Sequence, residues 1–198
     1  FVILIFDMDD TLYDESTYVQ SSFWAVSNYL SKKYGISKKI IFHEIMKIFK
    51  KQGRGNVFDY LLNYYKIFSM AEVEKCVSVY RKNIPDIKLY KEAKEILEDL
   101  SVYPKYVVTD GNKMVQSIKV ASLGIEAHFK KIILTHRHGV QYAKPDTYCF
   151  KLIKKREKCK WNQLVYVADD PNKDFVNLNP LGVKTIRVLT GRFKKQKA

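Results

Sequence analysis

The chain has 198 residues, a formal net charge of +14, and 46% hydrophobic against 28% charged side chains. That balance excludes a disordered segment, and the length fits one ordinary domain or one domain carrying a smaller insertion. No apolar stretch is long enough to cross a bilayer, and the opening FVILIF is too short, and too quickly followed by acids, for a signal peptide.

Three cysteines, Cys76, Cys149 and Cys159, form no CxxC pair and are odd in number. They are expected to be small buried residues in a reducing, cytoplasmic setting. The lysines are spread along the polar faces of apparent helices, with the densest basic stretch at RFKKQK (192–197). This reads as a solvated surface that attracts anionic substrates at long range. No recognised nucleic-acid reader motif accompanies the charge.

In chain order, five short apolar runs read as buried strands: FVILIF (1–6), YVVT (106–109), KIILT (131–135), LVYVA (164–168) and KTIRVL (184–189). Between the later ones lie helical stripes: Leu89, Ala93, Ile96, Leu97 and Leu100, then Met114, Ile118 and Ala121, then a helix over 147–158. Alternating strands and helices predict a parallel sheet covered on both faces.

From about Tyr13 to Pro85 the alternation stops. Four helices are expected there. Val19, Phe23, Val26 and Leu30 line the first; Ile41, Ile45 and Ile48 the second; Val57, Tyr60, Leu61, Tyr64 and Phe68 the third. Ser69 with Glu72 forms a capping-box signal opening the fourth. The aromatics of this stretch, Tyr13 included, read as helical core. Gln52-Gly53-Arg54-Gly55-Asn56 is a polar break between two apolar helices, either a plain turn or a loop able to reach a site.

Four strand ends hold unusual residues: Asp7-Met8-Asp9-Asp10-Thr11, Thr109-Asp110-Gly111-Asn112, Lys144-Pro145-Asp146, and Asp169-Asp170 with Asp174. Ligands of open α/β sheets bind at such ends. Residues two apart in an extended chain point the same way, so Asp7 and Asp9 are expected on one side and Met8 toward the core. Each motif alone is an ordinary turn or cap. Converging, they crowd several carboxylates, which calls for a cation, and an all-oxygen site suits magnesium. His136 and His138 have no further ligands at matching spacing, so no zinc site is expected.

The order DMDDTLY, VVTDGN, AKPD, VADDPNKD resembles the four motifs of the haloacid dehalogenase-like (HAD) superfamily over nearly the whole chain. The resemblance implies a Rossmann-like α/β core over 1–12 and 87–198, with an inserted all-helical C1-type cap over 13–86. It implies a magnesium-dependent phosphatase acting on a small phosphate monoester such as a sugar phosphate, a nucleoside monophosphate or a small acid phosphate. Asp7 would be the nucleophile, forming a phosphoaspartate, and Asp9 the acid and base. Thr109, with the Asp110 backbone N–H, would hold the phosphoryl group, and Lys144 would offset its charge. Asp169 would bind the metal with the Asp7 carboxylate and the Asp9 carbonyl. Asp174 would support the metal or orient Lys144, and Asp170 could contribute. Arg54 is expected to contact the substrate beyond its phosphate.

Two departures stand out: Asp10 where the family often has Gly, and Ala168 where it usually has Gly before Asp169. The rival readings are a sugar phosphomutase of the same superfamily and a non-catalytic basic protein binding nucleic acid. A dehalogenase fits less well, since that chemistry needs no acid at Asp9. Oligomeric state is not written in the sequence.

Overall fold

The computed structural model describes residues 1–196. Residues 197 and 198, at the end of the expected core domain and including the Lys197 of the basic stretch, lie outside the described residues. By chain contacts the protein forms two compact units. One comprises Phe1–Ser16 and the chain from Ile87 onward; the other is Thr17–Asp86.

The first unit is built on a five-stranded parallel sheet: β1 (Ile3–Phe6), β2 (Lys105–Thr109), β3 (Lys131–Leu134), β4 (Leu164–Ala168) and β5 (Lys184–Arg187), in the order β3-β2-β1-β4-β5. The central strands are buried on both faces, which is why they read as continuous apolar runs. From β1 the chain order runs outward to β2 and β3 on one side and to β4 and β5 on the other. The reversal falls at the end of β1, where such sheets open a crevice. Met8 and Ala168 are fully buried there, Met8 pointing to the core as its spacing predicts.

Helices α5 (Lys91–Asp99), α6 (Lys113–Leu123) and α7 (Tyr148–Glu157) lie between the strands. Lys105, buried in β2, donates its ammonium to the carbonyls of Leu97 and Leu100 at 3.0 and 2.8 Å, satisfying the C-terminal end of α5. The expected stripe on α6 is displaced. Met114 and Ala121 are exposed, and the buried face is Val115, Gln116, Lys119 and Val120. Leu89 stands outside α5, paired with Tyr13.

The second unit contains α1 (Glu15–Tyr34, from Thr17 onward), α2 (Lys38–Gln52), α3 (Val57–Tyr64) and α4 (Met70–Lys82). Val19, Phe23, Val26, Leu30, Ile41 and Ile45 are buried, and the Phe23 ring meets those of Phe49 and Tyr80 at 5.4 and 5.2 Å. The third stripe differs from expectation. Tyr60, Tyr64 and Phe68 are exposed, and α3 buries Phe58 and Leu62 beside Val57 and Leu61. The Ser69 hydroxyl caps α4 as expected, accepting from the Glu72 N–H at 3.1 Å. The Glu72 carboxylate does not complete the box; it is buried and takes the Lys33 ammonium instead, the stronger, charge-assisted partner.

Candidate active site

The first loop leaves β1 with the Asp7 N–H donating to the Val167 carbonyl of β4 at 2.9 Å, so the two loops start from one point. Asp7 is buried, and its Oδ1 accepts from Lys144 Nζ at 2.6 Å. The Lys144 ammonium, also buried, lies 2.8 Å from Asp174 Oδ1 and donates to the Tyr166 hydroxyl at 3.0 Å. Tyr166 in turn donates to Asp174 Oδ1 at 2.9 Å, and Asp174 Oδ2 accepts the Asp170 N–H at 3.1 Å. Both Asp174 oxygens are thus engaged in holding Lys144 and the fourth loop. Burial lowers the proton affinity of Lys144, but Asp7, Tyr166 and Asp174 outweigh it, so the lysine stays firmly protonated.

Asp7, Asp169 and Asp174 each bring a carboxylate oxygen within 4.8 Å of the others. Asp169 is pushed up to about 7 by burial and then by the charge of Asp174; burial likewise raises Asp7, although Lys144 opposes it. Carboxylates driven toward protonation in this way are short of positive charge. A hard divalent cation on oxygen ligands fits that deficit, with Asp7 and Asp169 the residues to hold it. Asp170 is not in the group. Its Oδ1 closes a turn by accepting from Asn172 N and Nδ2 at 2.9 and 3.0 Å.

Asp9 has hydrogen-bond partners of its own, distinct from the Lys144 that holds Asp7. Its Oδ1 accepts from the Tyr13 hydroxyl at 2.6 Å and Lys119 Nζ at 2.7 Å, and its Oδ2 from Gln116 Nε2 at 2.8 Å. Lys119 also pairs with Glu15 at 3.3 Å. Burial raises Asp9, but these three donors win and hold it below the usual carboxylate range. Tyr13 therefore belongs with the first unit and the acid loop, not with the helical core assigned from its spacing. Tyr13, Gln116, Lys119 and Tyr166 all escaped the motif reading.

Thr109 ends β2, buried, with its hydroxyl accepting from Gln116 Nε2 at 2.7 Å. The Asp110 side chain is a staple: Oδ1 accepts from the Thr135 hydroxyl at 2.8 Å and the Lys144 N–H at 3.1 Å, tying the second loop to the third. Asp10 adopts a positive φ of 54°, a conformation that explains why Gly suits this position. Its carboxylate accepts from the Glu15 and Arg192 backbone N–H groups at 3.0 and 3.2 Å, and its carbonyl from the Thr190 hydroxyl. A side chain at Gly191 would overlap that carboxylate. Arg54 sits in the exposed turn between α2 and α3, in the second unit. Among the described residues no histidine joins a cluster of potential metal ligands; His138 packs edge-on against Tyr148.

Residues 4–188 match the family of haloacid dehalogenase-like hydrolases. The chain belongs to this family. It is a hydrolase, with the parallel Rossmann-like sheet of that fold. It is 28% identical to a glyceraldehyde 3-phosphate phosphatase of Methanocaldococcus jannaschii, covering 96% of this chain and 86% of that protein. A protein of the same name from Pyrococcus abyssi is 25% identical over 93% of this chain and 79% of its own length. Among solved structures, the Bacillus subtilis HAD-hydrolase YfnB, bound to magnesium, superposes with a TM-score of 0.66 at 19% identity, covering 100% of this chain and 89% of that one. A 2-haloacid dehalogenase from Pseudomonas syringae pv. Tomato DC3000 superposes at 0.65 and 20% identity, covering 100% and 89%. The fold is therefore common to phosphatases and dehalogenases, and the choice between them falls to the site.

Proposed function

We propose that the protein is a magnesium-dependent phosphatase of a small sugar phosphate, a triose phosphate such as glyceraldehyde 3-phosphate being the first candidate. The observation that carries this reading is the buried Asp7–Lys144 pair beside Asp169, together with a second carboxylate on the same loop, Asp9, held by its own donors. A dehalogenase needs the first aspartate and has no use for the second. The near full-length relatives named as phosphatases support the same choice.

In this reading an Asp7 oxygen attacks phosphorus, and the bond to the ester oxygen breaks. A bare carboxylate approaching an anionic phosphate is repelled; Lys144, fixed by Asp174 and Tyr166, offsets that charge without having to reorganise. Magnesium held by Asp7 and Asp169 would supply further charge neutralisation. Asp9 gives the leaving oxygen a proton, then takes one from the water that hydrolyses the phosphoaspartate. The arriving phosphate dianion counters the pull of Lys119 and so raises the proton affinity of Asp9 when the acid is needed. Thr109 and the Asp110 N–H hold the phosphoryl oxygens. We read the helical unit as the C1-type cap and Arg54 as its candidate contact to the substrate beyond the phosphate.

The test is inorganic phosphate release from a panel of phosphorylated metabolites, glyceraldehyde 3-phosphate included, with magnesium and with EDTA. Turnover of triose phosphate that stops in EDTA and returns with magnesium supports the reading. Isomerised product without phosphate release would instead identify a mutase, and loss of halide from a 2-haloacid a dehalogenase.

A further inference from the structure

Helix α6 buries an amide that the reaction scheme above leaves without a task. Gln116 is 2% exposed, and its Nε2 lies 2.8 Å from Asp9 Oδ2 and 2.7 Å from Thr109 Oγ1. Among the described residues the Asp9 carboxylate meets donors: the Tyr13 hydroxyl, the Lys119 ammonium and this amide. An ionised carboxylate can only accept, so the Gln116 NH2 must face it, because the flipped amide would set oxygen against oxygen. That orientation commits the two N–H bonds, one to Asp9 and one to Thr109. The Thr109 hydroxyl then already accepts, and its own hydrogen must be spent on another acceptor. The loop makes room for this arrangement: Gly111 has φ 127°, and a Cβ there would press on the Gln116 side chain at 3.3 Å.

We infer that Gln116 is a positioning residue that makes Thr109 a hydrogen-bond donor to the transferring phosphoryl group while holding Asp9 in the same gesture. This rests on the roles given above to Thr109 and Asp9. A leucine or methionine in its place would leave the Thr109 hydroxyl without the donor that orients it, and a glutamate would turn both donors into acceptors.

The experiment is a double-mutant cycle on the full chain, with kcat/KM measured for an aryl and an alkyl phosphate in magnesium, and Asp7→Asn as the control for the chemistry. Gln116→Met is expected to lower kcat/KM by about 10- to 100-fold, the effect of one charge-assisted hydrogen bond. Thr109→Val removes the same donor, so in the Thr109→Val background Gln116→Met should cost several-fold less. A purely structural glutamine would give the same loss in both backgrounds, and that result, or wild-type activity in Gln116→Met, overturns the inference. If Gln116→Met does not fold, Gln116→Leu, equally neutral and without a donor, enters the same cycle with the same expectation. An inactive wild type, or an active Asp7→Asn, would bring down the phosphatase reading and the inference with it. Multiplicative losses in an active enzyme that needs Asp7 bring down only the role of Gln116.

Discussion

Lys144 and Asp7 stand 137 residues apart in sequence and 2.6 Å apart in space, and the lysine is held from behind by Asp174 at 2.8 Å. Asp7 is thus positioned by a cation that has its own second anchor. Asp7→Asn should leave that anchor in place and the melting temperature near wild type, while phosphate release falls by more than about 10³-fold, as when an enzyme loses its nucleophile. Near wild-type turnover in Asp7→Asn would rule out attack by Asp7.

Asp9 should show its role through the leaving group. An aryl oxide leaves without help and an alkoxide does not. Asp9→Asn should therefore slow phosphorylation by alkyl phosphates by about 10²–10⁴-fold and by aryl phosphates far less. Rapid-quench measurement of the phosphoenzyme gives both rates, and equal losses would remove Asp9 as the acid.

Magnesium affinity should depend on pH through Asp169, which burial pushes up to about 7. A cation needs the ionised form, so protons compete with it below pH 7. Asp7, which burial raises likewise, adds to the effect, so affinity should weaken by up to about tenfold per pH unit for each of the two carboxylates between pH 7 and pH 5 and level off above pH 8. Linkage has a matching sign. With its folded value above the unfolded one, Asp169 favours the metal-free fold at low pH, and that contribution is lost as pH rises through 7. Stabilisation by magnesium should thus grow from pH 5 to pH 8. Calorimetric titrations at several pH values read the first effect and melting curves the second; a pH-independent affinity would contradict both.

Lys105 should matter to stability and not to catalysis. Lys105→Met removes the ammonium from the Leu97 carbonyl and leaves the Leu100 carbonyl with the Tyr103 N–H alone, and should destabilise the fold by about 1–3 kcal/mol in urea unfolding. The kcat of the folded fraction should be unchanged, and a loss of kcat would show that α5 reports to the site.

Arg54→Ala should weaken turnover of the preferred metabolite through KM or kcat/KM and spare a generic aryl phosphate, which offers no group beyond its phosphate. Equal effects on both substrates, or none, would leave Arg54 a solvated turn residue.

The strands could be read from the sequence because each is a local apolar run, and three of those runs, FVILIF, YVVT and LVYVA, are followed at once by an acid. The groups that surround Asp9 could not. Lys119 looks like one more surface lysine on a chain rich in them, and Tyr13 like one more aromatic at helical spacing. Both are drawn inward by a carboxylate far away in sequence or across a turn, a pull that periodicity does not encode. One signal was available: Val115, Gln116, Lys119 and Val120 share a helix face, and two polar residues on an apolar face mark a buried polar contact. Glu72 failed as a capping box for a related reason, since a distant ammonium outcompeted the local amide. The Asp110 side chain likewise turned out to join two loops, a task its motif position does not announce.

Positions 10 and 191 are bound by the overlap between the Asp10 carboxylate and any side chain at Gly191, which itself has φ 58°. They can change only in a set order. Shortening Asp10 to glycine comes first and removes the obstruction; enlarging residue 191 comes second and still bears the left-handed backbone. Laboratory evolution of this enzyme should therefore traverse that pair in one direction, and libraries randomised at 191 alone should return glycine.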